Sequence, residues 1–175
     1  MPNFGKNRDS LFRAHFSMKI TIYTDGGALG NPGPGGYGAV LMYGNHQKEL
    51  SEGFRLTTNN RMELLAVIRA LEALKKDGLE VEIYTDSQYV QRAVSEKWVF
   101  GWEKKGFAGK KNADLWRQFL VLYRKHQVRF HWVKGHAGIP GNERCDQLAQ
   151  GAARGKNLQI DRAYETENGG KCPPN

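Results

Sequence analysis

The sequence predicts an α/β fold in which a mixed five-stranded sheet carries helices on both faces. Five short segments alternate apolar and polar residues as strands do, and segments with helical periodicity separate the later ones. The chain has 175 residues, and 39% of them are hydrophobic. This is enough for one domain with a sizeable core, and no internal repeat suggests a different architecture.

The first three strands are predicted close together in the chain. Residues 19–24 read KITIYT, and residues 39–43 and 47–55 give two further strands around a polar turn at 44–45. The segment 26–38 is rich in glycine and proline, which predicts a long turn. Short connections of this kind favour an antiparallel meander.

The rest of the chain alternates between helices and strands. The predicted elements are a helix at 60–76, a strand at 80–85, helices at 87–96 and 114–126, a strand at 128–133 and a final helix at 142–153. Because a helix separates the fourth strand from the third, these two strands can run parallel.

The charge balance favours a polyanionic partner. Lys and Arg number 26 against 18 Asp and Glu, which gives a net charge of +8 and places nucleic acid ahead of a membrane surface. No apolar run reaches the roughly 20 residues of a membrane-spanning helix. Cys145 and Cys172 fit neither a disulfide scaffold nor a zinc site, so free thiols are expected. The alternative to a nucleic-acid partner is that the protein is a basic structural protein without catalytic activity.

Both ends of the chain differ from the middle. Residues 1–17 have scattered charges and lack the apolar core of a secretory signal, so we expect a disordered extension, or one not translated if translation starts at Met18. A basic arm that touches nucleic acid is the alternative. Residues 166–175 predict a flexible tail, which leaves 18–165 as the folded domain. We expect a cytoplasmic location.

Four acidic residues stand where the predicted elements could bring them together. Asp25 and Asp86 each follow the letters IYT at a strand end, and the ends of parallel strands meet at one sheet edge. Glu63 lies in the first turn of its helix, and Asp146 lies near the start of the last helix. The alternative is that Glu63 and Asp146 are ordinary acids that favour the helix dipole.

Such a cluster of carboxylates persists only if cations neutralise it. All the donors are oxygens, which favours Mg²⁺ or Mn²⁺ over Zn²⁺. Two divalent ions would activate a water and stabilise the leaving oxygen of a phosphodiester. The sequence therefore predicts a metal-dependent phosphodiesterase site.

Four blocks of the chain occur in a characteristic order: YTDGGALGNPGPGGYG, TTNNRMEL, YTDSQYV and WVKGHAGIPGNERCDQLA. Together they resemble bacterial type 1 ribonuclease H, over residues 18–164. The resemblance implies the ribonuclease H-like fold and an endonuclease that cuts the RNA strand of an RNA–DNA hybrid, leaving 5′-phosphate and 3′-hydroxyl ends. It also implies a monomer whose partner is the hybrid duplex, with no membrane involved.

The resemblance assigns roles to individual residues. Two Mg²⁺ ions, with Mn²⁺ as a possible substitute, are expected on Asp25, Glu63, Asp86 and Asp146. His136 is expected to assist proton transfer or product departure. A loop histidine without function is the alternative for that residue.

The resemblance also implies substrate contacts. The 2′-hydroxyl distinguishes RNA from DNA, and the amides expected near it belong to Asn31, Asn59, Asn60 and Gln88. Asn31 could instead be a turn former and Asn59 a helix cap, and both roles are compatible with binding. A pocket for a DNA phosphate is expected at Thr58 and Asn112. Many relatives carry a basic residue two positions before that threonine, where this chain has Leu56.

A basic segment interleaved with aromatic residues covers positions 91–112. Six basic and two acidic residues give it a net charge of +4. It resembles the family's basic protrusion, with Trp98 expected on a deoxyribose and Trp102 in the core.

Other hypotheses for the function of the protein are a non-catalytic hybrid or double-stranded RNA binder, and a resolvase or integrase core of the same fold. The four acids argue against a binder, and the TNNRMEL and KGHAG blocks argue against the other nucleases.

Overall fold

A computed structural model describes residues 19–169 of the chain. The expectations for residues 1–17, for Met18 and for Cys172 lie outside these residues. The elements in chain order are β1 (Ile20–Ala28), β2 (Gly33–Tyr43), β3 (His46–Thr57), α1 (Asn59–Glu72), β4 (Glu80–Thr85), α2 (Gln88–Ser95), α3 (Trp98–Lys104), α4 (Ala113–Tyr123), β5 (Gln127–Trp132), α5 (Pro140–Ala153) and α6 (Arg162–Glu167).

The five strands form one mixed sheet in the order β3-β2-β1-β4-β5. The first three strands are an antiparallel meander, as predicted, and β4 runs parallel to both β1 and β5. The neighbour of β4 is β1 rather than β3, because the chain crosses over through α1. The predicted α/β class and mixed five-stranded sheet are confirmed.

The glycine-rich segment differs from its prediction. β1 continues to Ala28 and β2 starts at Gly33, so only residues 29–32 form the turn. In this ladder Asp25 pairs with Gly38, and the residues beyond it pair in the same register. The glycines stand in strands because helices cross the sheet at these positions, and a side chain would occupy that space.

Helices cover both faces of the sheet. A Cβ atom on Gly26 would collide with the backbone of Met62 in α1, whereas one on Gly38 would collide with the backbone of Cys145 in α5. Helix α1 therefore packs on one face and α5 on the other. Helix α4 joins α1 there, and its fully buried Trp116 belongs to the main core.

The predicted helix ends shift by a few residues. Helix α1 ends at Glu72 instead of 76, and residues 75–78 beyond it are exposed. Helix α3 was not predicted, and it lies inside the basic segment, where it buries Val99. Helix α6 was also not predicted. The expected boundary between domain and tail, after residue 165, falls inside it.

No helix within residues 19–169 has the length and apolar character needed to cross a membrane.

Candidate active site

Asp25 and Asp86 come from adjacent parallel strands. Thr24 of β1 and Thr85 of β4 are register partners, so the next residue on each strand is one of the two aspartates. Asp86 directly follows the end of β4, whereas β1 continues past Asp25 along β2. Both carboxylates therefore lie at the same edge of the parallel part of the sheet.

Glu63 and Asp146 lie deeper in their helices than predicted. Helix α1 begins at Asn59 and has no acidic residue in its first turn, and the first-turn acid of α5 is Glu143. Because a helix dipole acts mainly on its first turn, it does not explain either residue. The structure therefore does not support the alternative that Glu63 and Asp146 are ordinary acids placed to favour the helix dipole.

Burial and the charges of neighbouring acids raise the pKa values of three of the four carboxylates. Burial raises the pKa of Asp25 to about 8, and the charges of the other three acids add to the rise. Burial and repulsion by Asp86 raise the pKa of Glu63 to about 7. Burial and the charge of Asp146 also raise the pKa of Asp86. Such shifts arise where anionic groups share a partly desolvated site.

The donor set fits a hard divalent cation, since it consists of carboxylate oxygens whose charges repel one another. Within the described part of the chain, no three His, Cys, Asp or Glu side chains form a ready-made ligand group. The oxygen donors therefore suit a hard divalent cation. Among the described residues, however, no three of these side chains already stand in the arrangement that such a cation requires.

Three polar side chains contact these acids and were missed by the sequence analysis. The Ser87 hydroxyl donates to Glu63 Oε2, and the buried Asn142 side chain lies close enough to Asp86 to lower the pKa of its carboxyl. Gln150 Nε2 donates to both oxygens of Asp146, at 2.8 and 2.9 Å. Gln150 follows Asp146 by one helical turn, and that spacing is the signal that could have found it.

His136 lies on the exposed loop between β5 and α5, in the left-handed conformation with φ of 55°. Its charge lowers the pKa of Asp86, against the effects of burial and of Asp146. The predicted catalytic histidine is thus close enough to the carboxylates to act on them electrostatically.

Four of the predicted substrate residues lie around one pocket of about 480 Å³, which we call the polar pocket. They are Asn31, Thr58, Asn60 and Asn112. Thr58 also caps α1 by accepting a hydrogen bond from the Arg61 N–H (3.4 Å). Arg55, which lies beside Leu56, forms an ion pair with Glu165 (2.6 Å).

Asn59 links the polar pocket to the carboxylates. Its side-chain Oδ1 accepts from the Ala28 N–H (2.6 Å), and its own N–H donates to Asn31 Oδ1 (3.1 Å). It lines a second pocket, of about 310 Å³, together with Asp25 and Asp146. Asn59 is therefore both a structural link and a group beside the acids.

Gln88 and Trp98 lie in a third depression, which we call the aromatic groove, of about 460 Å³. Trp98 is 41% exposed, and the Arg92 guanidinium lies 5.0 Å from its ring centroid. Trp102 packs edge-on against Trp116 in the core. Trp102 therefore packs against the core as predicted, whereas Trp98 lies at the surface, where its contact with a deoxyribose stays a prediction.

Comparisons with known proteins agree with this geometry. The family model for RNase H matches residues 17–154. A ribonuclease H from Aeromonas salmonicida is 54% identical over 151 residues, covering 83% of this chain and 97% of that protein.

Two solved structures are also similar. LC9-RNase H1, a type 1 RNase H with the type 2 active-site motif, has a TM-score of 0.73 and 31% identity, covering 87% of this chain and 82% of its own. LC11-RNase H1, solved in complex with an RNA/DNA hybrid, has a TM-score of 0.57 and 30% identity, covering 83% and 99%. The family match, the high identity and the shared fold agree, and the chain therefore belongs to the bacterial type 1 ribonuclease H family.

Proposed function

We propose that this protein is an endoribonuclease that hydrolyses the RNA strand of RNA–DNA hybrids, giving 5′-phosphate and 3′-hydroxyl ends. The observation that carries the proposal is that Asp25 and Asp86 follow register partners of two neighbouring parallel strands, and that the charges of Asp86, Asp146 and Glu63 all act on Asp25. The polar pocket and the aromatic groove offer surfaces for a substrate. The hybrid bound to LC11-RNase H1 supports the choice of substrate.

We propose two Mg²⁺ ions as the cofactor, held by Asp25, Glu63, Asp86 and Asp146. When bound, such ions supply an activated water and neutralise charge on the leaving oxygen. The raised pKa values of Asp25 and Glu63 support this assignment, because a divalent cation favours the ionised carboxylates that burial disfavours.

The chain's own residues bind and orient the duplex. Asn31, Asn59, Asn60 and Gln88 carry amides that both donate and accept hydrogen bonds, as reading of a 2′-hydroxyl requires. Thr58 and Asn112 hold a backbone phosphate of the DNA strand, and Trp98 contacts a deoxyribose. The lysines of the basic segment attract the duplex without reading its sequence.

His136 moves a proton in this proposal. It stands beside Asp86 on an exposed loop, where a histidine can exchange protons with water. The variant His136→Ala should slow turnover without abolishing it, and unchanged kinetics would leave the residue without a role.

A non-catalytic binder of the same fold is the competing function. It does not account for the carboxylates, because acids held partly buried next to one another oppose folding and repel phosphate. A binder would gain affinity by losing them.

The test is cleavage of end-labelled RNA–DNA, RNA–RNA and DNA–DNA duplexes of one sequence, each with Mg²⁺ and with a chelator. We expect cuts only in the RNA of the hybrid and only with the metal. Mapping of the product ends then checks the phosphate position. Equal cutting of double-stranded RNA, or cutting in the chelator, would contradict the proposal.

A further inference from the structure

Helix α6 is fixed to the domain by a buried ion network. Asp161, the residue before α6, accepts hydrogen bonds from Arg61 Nε (2.7 Å) and from the Thr57 hydroxyl (2.8 Å). Arg61 also donates to both oxygens of Asp114 in α4, at 2.9 and 2.8 Å, and its side chain is 2% exposed. A guanidinium held by two carboxylates fixes the start of α6 against α1 and α4.

A second attachment holds the middle of α6. Glu165 accepts two hydrogen bonds from the guanidinium of Arg55 in β3, at 2.9 and 2.6 Å. The chain before α6 adds main-chain bonds to the same strand, through Gln159 and Gly53 (2.7 Å). The residues that α6 presents to its surroundings are therefore held in fixed positions.

Those residues form one side of the polar pocket. Tyr164, Glu167 and Asn168 line it together with Thr58 and Asn112. The Tyr164 ring packs over the guanidinium of the buried arginine, 5.9 Å from centroid to Cζ. The pocket that takes substrate in the proposed function is thus built jointly by the loop before α1, the start of α4 and α6.

The charges around this pocket are unusual for a phosphate site. Lys111 and Glu167 both line it, yet neither forms an ion pair with a residue in the range 19–169. Both side chains are exposed. One cation and one anion therefore remain free to act on whatever enters the pocket.

We propose that α6 forms the outer wall of a pocket for a backbone phosphodiester, and that Glu167 on this wall limits the affinity for the phosphate. The inference rests on the proposed function. It concerns a part of the chain beyond the family match, which ends at residue 154. Lys111 attracts the phosphate and Glu167 repels it, so the pocket holds the duplex in place without holding it tightly.

The test measures binding of a labelled hybrid in a chelator, where no cleavage is expected. Removal of one repelling charge in Glu167→Gln should tighten binding by about three- to tenfold at low salt. The variant Glu167→Lys should tighten it further and raise the salt slope by about one. The matched control is Glu80→Gln, which removes the same charge from the start of β4, at the far end of that strand from Asp86.

A second arm locates the phosphate. Single phosphates are replaced one at a time by neutral methylphosphonates, first in the DNA strand and then in the RNA strand. At one position the gain from Glu167→Gln should disappear, because the charge that Glu167 repels is gone. The strand that carries this position identifies the source of the phosphate.

Equal affinities of Glu167→Gln and Glu80→Gln would overturn the proposal, and so would a gain that no methylphosphonate removes. Either result would leave the nuclease assignment intact, provided that the wild-type protein cuts hybrids with Mg²⁺. Failure of the wild type to cut any hybrid would instead reject the proposed function. Unfolding curves of both variants show whether the fold is retained.

Discussion

The Ser87 hydroxyl donates a hydrogen bond to Glu63 Oε2 and at the same time accepts one from the Val90 N–H (3.2 Å). Ser87 is 3% exposed, and it is the N-cap residue of α2. One buried hydroxyl thus starts a helix and fixes a carboxylate of α1 beside the end of β4. The position of Glu63 therefore depends on a residue that is not one of the four acids.

Replacement of Ser87 by alanine should remove both bonds. The loss of a helix cap and of a buried donor should lower the free energy of unfolding by about 1–3 kcal/mol. The pKa of Glu63 should rise further, so more Mg²⁺ should be needed for half-maximal cleavage. Ser95→Ala, at the exposed end of α2, is the control. Equal behaviour of the two variants would contradict the role of Ser87.

The variant Asp25→Asn should lose cleavage but keep hybrid binding, because an acid that faces phosphate adds no attraction. We expect a rate lower by roughly a thousandfold, equivalent to about 4 kcal/mol of transition-state stabilisation. Single-turnover cleavage and hybrid binding in a chelator measure the two effects separately. Cleavage at the normal rate would remove Asp25 from the mechanism.

The metal-free protein should become less stable as the pH rises from about 4 to about 8. Asp25 and Glu63 have pKa values of about 8 and about 7, above their unfolded values, so the folded state binds more protons in this window. Because water reaches these half-buried groups, we expect a loss on the order of 2–3 kcal/mol rather than the full shift.

Urea unfolding at pH 5 and pH 8.5 in a chelator measures this loss. The double variant Asp25→Asn, Glu63→Gln should lack most of it. His126, whose pKa burial lowers, acts in the opposite direction and is present in both proteins, so the difference isolates the two acids. If the unfolding free energies of the wild type and of the double variant changed equally between pH 5 and pH 8.5, the pKa values of Asp25 and Glu63 would not be raised in the folded state.

Arg61→Ala should destabilise the fold strongly. It would leave Asp161 buried without its cation and Asp114 without its main partner, a change that typically costs about 3–5 kcal/mol. Arg61→Lys should recover only part of the loss, since an ammonium cannot bridge two carboxylates in the same fork geometry. Arg124→Ala, which breaks an exposed pair with Glu103, should cost far less. Denaturant unfolding compares the three.

Replacement of four of the five exposed lysines of the basic segment by alanine should weaken hybrid binding most at low salt. Each lost phosphate contact reduces the slope of affinity against salt by about one. The replaced residues are Lys104, Lys105, Lys110 and Lys111. The control replaces Lys75, Lys76, Lys125 and Lys156, which changes the net charge equally. Identical salt slopes for the two variants would rule out a specific grip by this segment.

The strands, and the sheet edge that carries Asp25 and Asp86, could be predicted because their signals are local. Alternating residues and the repeated IYTD ending place Asp25 and Asp86 without knowledge of any partner. The glycine-rich segment misled the prediction, since glycine density usually indicates a turn. Here many of the glycines stand where helices pack closely against the strands. Such close contacts leave no periodic signal in the sequence.

Helix α6 and its anchor could not be predicted for a related reason. Arg61 belongs to the TNNRMEL block, but its partner Asp161 lies one hundred residues later. An ion pair between distant positions has no spacing rule, and α6 has only six residues. The contacts of Asn142 with Asp86 and of Ser87 with Glu63 escaped for the same reason.

The two glycines beside Asp25 have a consequence for attempts to redesign this enzyme. Gly26 lets α1 approach with Glu63, and Gly38 lets α5 approach with Asp146, so the gap between opposing acids is set by the hydrogen atoms of two residues without chemical function. A methyl group at either position would push one helix outward. Because Glu63 and Asp146 would move with their helices, such a substitution would widen the spacing between the acids without replacing any of them.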